Sequence, residues 1–203
     1  MLPKVLVFAG SIRTGSMNTR LAALAAKELL AAGADVTRIS LADYPMPVYD
    51  GDLEANSGAP GNAVKLKQMF MAHQGIFIAS PEYNASMTPL LKNSLDWVSR
   101  VRERGEQPLP AYKNRVFAIG GASDGPYGAL RSLMALRQSL ELGCGAMVIP
   151  DQITVIRASE AFDEMDNLKD ERAAGTLKRI AQRLTDMGAG PTFYDNLVEV
   201  RAL

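Results

Sequence analysis

The residues best suited to chemistry lie in three short loops. The first, Gly10-Ser11-Ile12-Arg13-Thr14-Gly15-Ser16-Met17-Asn18, joins the apolar run Val5–Ala9 to an alanine- and leucine-rich segment with helical spacing. A loop dense in hydroxyls and glycine can aim several backbone N–H groups at one point, in front of the positive end of a helix dipole. Its natural guest is a phosphate. Arg13 supplies a charge-assisted contact, and Ser11, Thr14, Ser16 and Asn18 supply neutral donors. Taken alone, the loop is equally compatible with a Ser or Asn that only caps the following helix. It has no lysine followed by Ser/Thr at the Walker spacing, which disfavours a nucleoside triphosphatase, and it lacks the three-glycine dinucleotide spacing, so a single terminal phosphate held mostly by neutral donors is the better fit.

The second loop is Ser80-Pro81-Glu82-Tyr83-Asn84-Ala85-Ser86-Met87-Thr88-Pro89. Pro81 stiffens it, Tyr83 offers a flat face, and the backbone between them can read the polar edge of a planar heterocycle. Thr88 fits an N-cap with Pro89 at the first helical position. The third loop, Gly120–Gly128, is made of small residues that let another group approach the backbone. An ordinary turn and a flexible connection are the plain alternatives for these two. Three such loops together are harder to set aside, because open parallel sheets bind ligands beyond the carboxyl ends of their strands.

The elements that must position these loops are visible as alternation. Apolar runs at Val5–Ala9, Val36–Ile39, Gly75–Ala79, Val116–Ile119 and Ala146–Ile149 read as strands. Segments Asn18–Ala32, Asn62–His73, Thr88–Arg102, Tyr127–Leu142 and Lys169–Met187 read as helices. This predicts an α/β fold of parallel strands with right-handed crossovers. One domain is expected over residues 1–190, followed by a C-terminal tail, 191–203, carrying Phe193, Tyr194, Leu197 and Val198. Long connections are expected after the second strand, at 102–110 and at 151–166, and loops of that length are often functional.

Twenty-two basic residues balance twenty-two acidic ones, so no global field attracts nucleic acid or an anionic membrane. A single cysteine, Cys144, excludes an internal disulfide and fits a cytoplasmic protein; no membrane-length apolar run and no signal-peptide pattern occur. No His/Cys/carboxylate cluster has metal-ligand spacing, so no metal is expected, and no side chain is singled out as a catalytic acid, base or nucleophile. His73 is expected to cap its helix or face solvent, away from the three loops. Cys144 is expected to pack as a small hydrophobe, and Asp163, Glu164 and Asp166 to form a solvated helix face. Without a Gly-x-Ser-x-Gly elbow after a strand, a serine hydrolase is disfavoured.

Gly10-Ser11-Ile12-Arg13 through Ser16 and Asn18, Ser80-Pro81-Glu82-Tyr83-Asn84, and Leu91-Lys92-Asn93-Ser94-Leu95-Asp96-Trp97 together resemble the NADPH-dependent FMN reductase family, from about Lys4 to Met187. The resemblance implies a flavodoxin-like three-layer sandwich with a five-stranded parallel sheet in the order 2-1-3-4-5. It implies FMN as cofactor, with its phosphate wrapped by Ser11, Arg13, Ser16, Met17 and Asn18. Pro81, Glu82, Tyr83 and Asn84 would lie against the ring, and Gly121, Ala122 and Ser123 would close its other side. NADPH or NADH would pass hydride to the flavin, and a small acceptor (a quinone, free flavin, chromate or an azo compound) would then take the electrons. Glycine replaced by Ala85, and Pro-Gly replaced by Thr88-Pro89, depart from many members around the acceptor pocket.

The same resemblance implies a homodimer or homotetramer, with Trp97, Val101, Leu133 and Leu136 as interface candidates, although for any single one of them a place in the core is the more ordinary role. Arg100, Arg102 and Arg104 could meet a nucleotide phosphate or form a solvated face. Two other readings stand beside the reductase. A flavodoxin-like electron carrier would bind FMN without turning over pyridine nucleotide, although zero net charge speaks against acidic docking. A non-redox module would hold some other phosphorylated ligand.

Overall fold

The computed structural model describes residues 2–190; the tail 191–203 lies outside them. Five parallel strands form one sheet in the order β2-β1-β3-β4-β5. They are β1 (Lys4–Ala9), β2 (Asp35–Arg38), β3 (Gly75–Ala79), β4 (Val116–Ala122) and β5 (Met147–Val155). The helices are α1 (Met17–Ala31), α2 (Gly51–Ser57), α3 (Gly61–Met71), α4 (Pro89–Arg100), α5 (Pro110–Lys113), α6 (Leu130–Gln138) and α7 (Glu171–Ala189).

Apart from Lys4 at the start of β1, the three inner strands are apolar and buried because both of their faces are covered. Val5, Val7 and Ala9 of β1 and Phe77 of β3 point to the side packed by α1 and α7. Leu6 and Phe8, with Ile76, Ile78, Phe117 and Ile119, point to the side packed by α3, α4 and α6. The alternation of a strand thus builds two cores from one sheet. Trp97, Leu133 and Leu136 are fully buried and Val101 is 6% exposed, so these residues fill the interior and present no interface. The Trp97 indole donates to the Pro47 carbonyl at 2.8 Å and meets the Tyr49 ring edge-on, which pins the long connection after β2. That connection contains α2, capped by the Asp50 carboxylate.

β5 runs beyond its expected end. Its pairing with β4 jumps from Phe117↔Val148 to Ile119↔Gln152, so a bulge carries Pro150, which has no N–H to give a ladder, and pairing then resumes to Val155. α6 likewise starts later than its apolar spacing suggested, at Leu130, and continues into a wide five-residue turn, Ser139–Gly143.

Lys67 on α3 is 1% exposed. Its ammonium meets Glu106, which reaches in from the charged excursion after α4 and also accepts the Glu103 N–H at 2.9 Å. His73 is also buried, with Nδ1 bonded to the Met69 carbonyl at 2.6 Å, and Arg115 donates to the Phe70 and Met71 carbonyls. Together they satisfy the carboxyl end of α3, so His73 caps its helix from inside and does not face solvent. Asp163, Glu164 and Asp166 form no helix face. The Asp163 carboxylate closes a turn onto the N–H groups of Met165 and Asn167, and Asp166 pairs with Arg20 of α1.

Candidate active site at the carboxyl edge of the sheet

The topology places the carboxyl ends of β1, β3 and β4 side by side, and the three loops leave from them. Neighbouring strands are ~4.8 Å apart, so the loops share a span of roughly 10 Å. Ser16 sits at the N-cap of α1 in extended conformation and is 4% exposed, yet its hydroxyl accepts no bond from the helix. The first-turn N–H groups of Met17 and Asn18 are therefore left for a guest. Arg13 is exposed and makes no ion pair among the described residues. The Ser11 hydroxyl accepts the Arg13 N–H at 3.3 Å, which shapes the loop. Free N–H groups at a helix N-terminus, with an arginine in the loop before them, are donors of the kind an anion takes.

Asn18 does something the sequence did not suggest. It is buried, and its amide donates to the Ala122 carbonyl and accepts the Ala122 N–H, both at 2.9 Å. It ties α1 to the end of β4. Thr88 caps α4 by accepting the Leu91 N–H, as its position before Pro89 predicts, and its hydroxyl also donates to the Gly10 carbonyl at 2.6 Å. The first and second loops are thus joined as well.

Pro81 is buried, while Tyr83 is 52% exposed at the rim. Tyr83 and Ser86 exchange both backbone bonds across a two-residue turn, in which Asn84 has φ 49° and Ala85 φ 64°. Two successive positive φ values mark a turn that favours Asn-Gly, so the methyl of Ala85 is strained there. The Glu82 carboxylate turns away from the rim and binds the start of α6: the Arg131 N–H at 3.0 Å, the Ser132 N–H at 3.3 Å and the Arg131 guanidinium. Burial pushes its pKa upward, but these donors outweigh burial and leave the carboxyl below its ordinary value.

Gly121 and Ala122 belong to β4 itself, and the third loop begins at Ser123. A Cβ on Gly121 would lie 2.7 Å from that of Ala129 and 2.9 Å from the Ser80 carbonyl oxygen. Only glycine lets the two walls approach so closely. Asp124 accepts the Ser159 N–H at 2.7 Å, which with the Ser159 hydroxyl and, to a smaller extent, Arg13 holds its carboxyl below the usual range. Arg100 is engaged by Glu54, with Nε 2.9 Å from both carboxylate oxygens, and does not join the site. Burial pushes the Cys144 thiol up to about 11, consistent with a packed and inert sulfur. No group of three or more His, Cys, Asp or Glu able to hold a metal occurs among the described residues, and none of their helices is long and apolar enough to cross a membrane.

The model of the NADPH-dependent FMN reductase family matches residues 3–160. The chain belongs to that family. It is 33% identical over 182 residues to an NAD(P)H-dependent FMN reductase of Pseudomonas aeruginosa, covering 89% of this chain and 92% of that one. It is 31% identical over 188 residues to a quinone reductase of Escherichia coli K12, covering 91% and 93%. Among solved structures it is similar to FerB, a flavoenzyme NAD(P)H:(acceptor) oxidoreductase of Paracoccus denitrificans. The TM-score is 0.74 at 26% identity, with 91% of this chain and 96% of that one covered. FMN as cofactor and a pyridine nucleotide as co-substrate follow from the membership.

Proposed function

We propose that this member uses the pyridine nucleotide to reduce bound FMN and passes the electrons to a quinone-type acceptor. The observation that carries the reading is an uncapped α1 N-terminus, preceded by a loop with an unpaired Arg13, at the edge where β1, β3 and β4 end together. A quinone is the acceptor named for several relatives, among them the quinone reductase of Escherichia coli and a 2-hydroxy-1,4-benzoquinone reductase of Burkholderia.

Bound FMN supplies the two-electron chemistry, and the protein supplies position and electrostatics. In this reading the N–H groups of Met17 and Asn18, with Arg13, Ser11 and Ser16, hold the phosphate. The backbone of Pro81 to Asn84 lines one wall for the ring, and Gly121, Ala122 and Ser123 line the other. Tyr83, half exposed beside this gap, borders the opening through which nucleotide and acceptor come and go. A homodimer or homotetramer is part of the proposal. Its support is a cleft of about 690 Å³ between α4 and α6, beside Ser86, with Leu142 on its lip 82% exposed.

Fluorescence titration of flavin-free protein with FMN, wild type against Arg13→Ala, tests the proposed phosphate site. Anaerobic stopped-flow with NADPH and NADH, followed by a panel of acceptors, tests the reaction. Arg13→Ala should keep its fold and lose at least about tenfold in FMN affinity, the scale of one charge-assisted contact. Equal affinity in the two proteins refutes the assignment.

A further inference from the structure

The loop after β3 and the start of α6 are cross-linked by one carboxylate. The Glu82 side chain is 7% exposed. Its Oε2 accepts the N–H groups of Arg131 and Ser132, and its Oε1 accepts Nε of Arg131 at 2.7 Å and a second guanidinium N–H. A carboxylate offers about four acceptor sites, and here all four are used. α6 needs this, since Ala129 at its N-cap has φ 69° and offers no side-chain oxygen. Glu82 therefore caps a helix that belongs to the opposite wall of the gap. Beneath it the Ser80 and Ser132 hydroxyls lie 2.7 Å apart, and Ser132 donates to the Pro81 carbonyl at 2.8 Å. Both serines are fully buried.

We infer that Glu82 is a positioning residue whose side chain does not touch the flavin. Its contact with Arg131 and the α6 N-terminus fixes the separation of the two backbone walls, Pro81–Asn84 and Gly121–Ser123, between which the ring and the acceptor are read. This rests on the proposed placement of FMN. The carboxylate is saturated by donors of the far wall, so any effect on the flavin passes through the backbone. Arg131 is the other half of the device. Its guanidinium also lies 5.1 Å from the Tyr127 ring, so it fixes the third loop to the second.

The test is a double-mutant cycle on FMN-loaded protein with Glu82→Gln, Arg131→Gln and the double variant. FMN affinity, the midpoint potential of the bound flavin, acceptor KM and kcat, and Tm are measured for each. A glutamine at 82 has one acceptor oxygen and must turn its NH2 toward either the guanidinium or the helix N–H groups. Each single variant should raise acceptor KM about tenfold and shift the potential in the same direction. FMN affinity should stay within about threefold, because the phosphate grip is on another loop. The double variant should be no worse than Glu82→Gln, as expected of two residues acting as one unit. A changed potential in Glu82→Gln with a wild-type potential in Arg131→Gln overturns the inference, because the carboxylate then acts on the flavin directly. Additive effects overturn it too, as does a fall in Tm with potential and KM unchanged. If Glu82→Gln does not fold, Arg131→Gln alone decides, since it leaves the helix cap intact. A wild-type protein that takes up no FMN defeats the flavin reading itself, and that outcome is seen before any variant is made.

Discussion

Replacing Asn18 with alanine is the sharpest probe of how the site is held together. Its amide makes two 2.9 Å bonds to the backbone of Ala122, and the two residues are 3% and 4% exposed. Truncation leaves a buried N–H and a buried C=O without partners, at roughly 1–3 kcal/mol each. Water entering the space recovers part of this, so a net loss of about 3 kcal/mol is expected. For a chain of this length the loss corresponds to a fall in Tm of roughly 6–12 °C. The assay is thermal and urea unfolding of flavin-free protein followed by circular dichroism, with an unchanged urea slope as the sign that compactness is preserved. Asn18→Asp is the control. It keeps an acceptor for the Ala122 N–H but sets a carboxylate oxygen against the Ala122 carbonyl, so it should be no more stable than the alanine variant. A flavin-free Asn18→Ala protein within about 2 °C of wild type, paired with a large loss of FMN affinity, would mean that the amide serves the ligand and not the scaffold.

Three further outcomes are expected. Ala85→Gly should stabilise the protein by about 1 kcal/mol, because relief of a left-handed alanine exceeds the entropy that glycine loses on folding; a lower Tm would refute the turn geometry. Gly121→Ala should destabilise by roughly 2–3 kcal/mol and loosen FMN binding, since its methyl meets Ala129 and the Ser80 carbonyl. Wild-type urea midpoints and flavin affinity in that variant would show that the walls yield easily. Cys144, with its thiol pushed up to about 11, should react with a disulfide reagent at pH 8 more than about a hundredfold slower than free cysteine. Its rate should climb about tenfold per pH unit while the protein stays folded, and fast labelling at pH 7 would contradict the burial.

The central strands were legible because both of their faces are covered. Gly75–Ala79 is matched residue for residue, and β1 differs only by the addition of Lys4. The apolar run of the last strand stops at Ile149 in the sequence, and a bulge that absorbs Pro150 leaves no period from which the continuation to Val155 can be read. The helix Gly51–Ser57 leaves no trace in the sequence for a related reason: it buries none of its residues, so no apolar stripe marks it. The three loops were placed correctly at the carboxyl ends, since glycine, proline and hydroxyl residues announce turns locally. The ties between them were not legible. Asn18 to Ala122 spans 104 residues and Glu82 to Arg131 spans 49, and nothing local in either partner encodes the other. Trp97, Leu133 and Leu136 show the same limit, because helical spacing alone cannot separate an interior face from one that meets a second chain.

The pairing of Lys67 with Glu106 constrains how this lineage can change its outline. The excursion after α4 looks dispensable, being charged, glycine-bearing and peripheral. Yet removing it would abandon an ammonium whose side chain is 2% exposed, at a penalty of several kcal/mol. A descendant that trims the excursion must therefore first exchange Lys67 for an apolar residue. A graft that moves the segment onto a cousin must bring the lysine along, so the two positions travel as one heritable unit although 39 residues separate them.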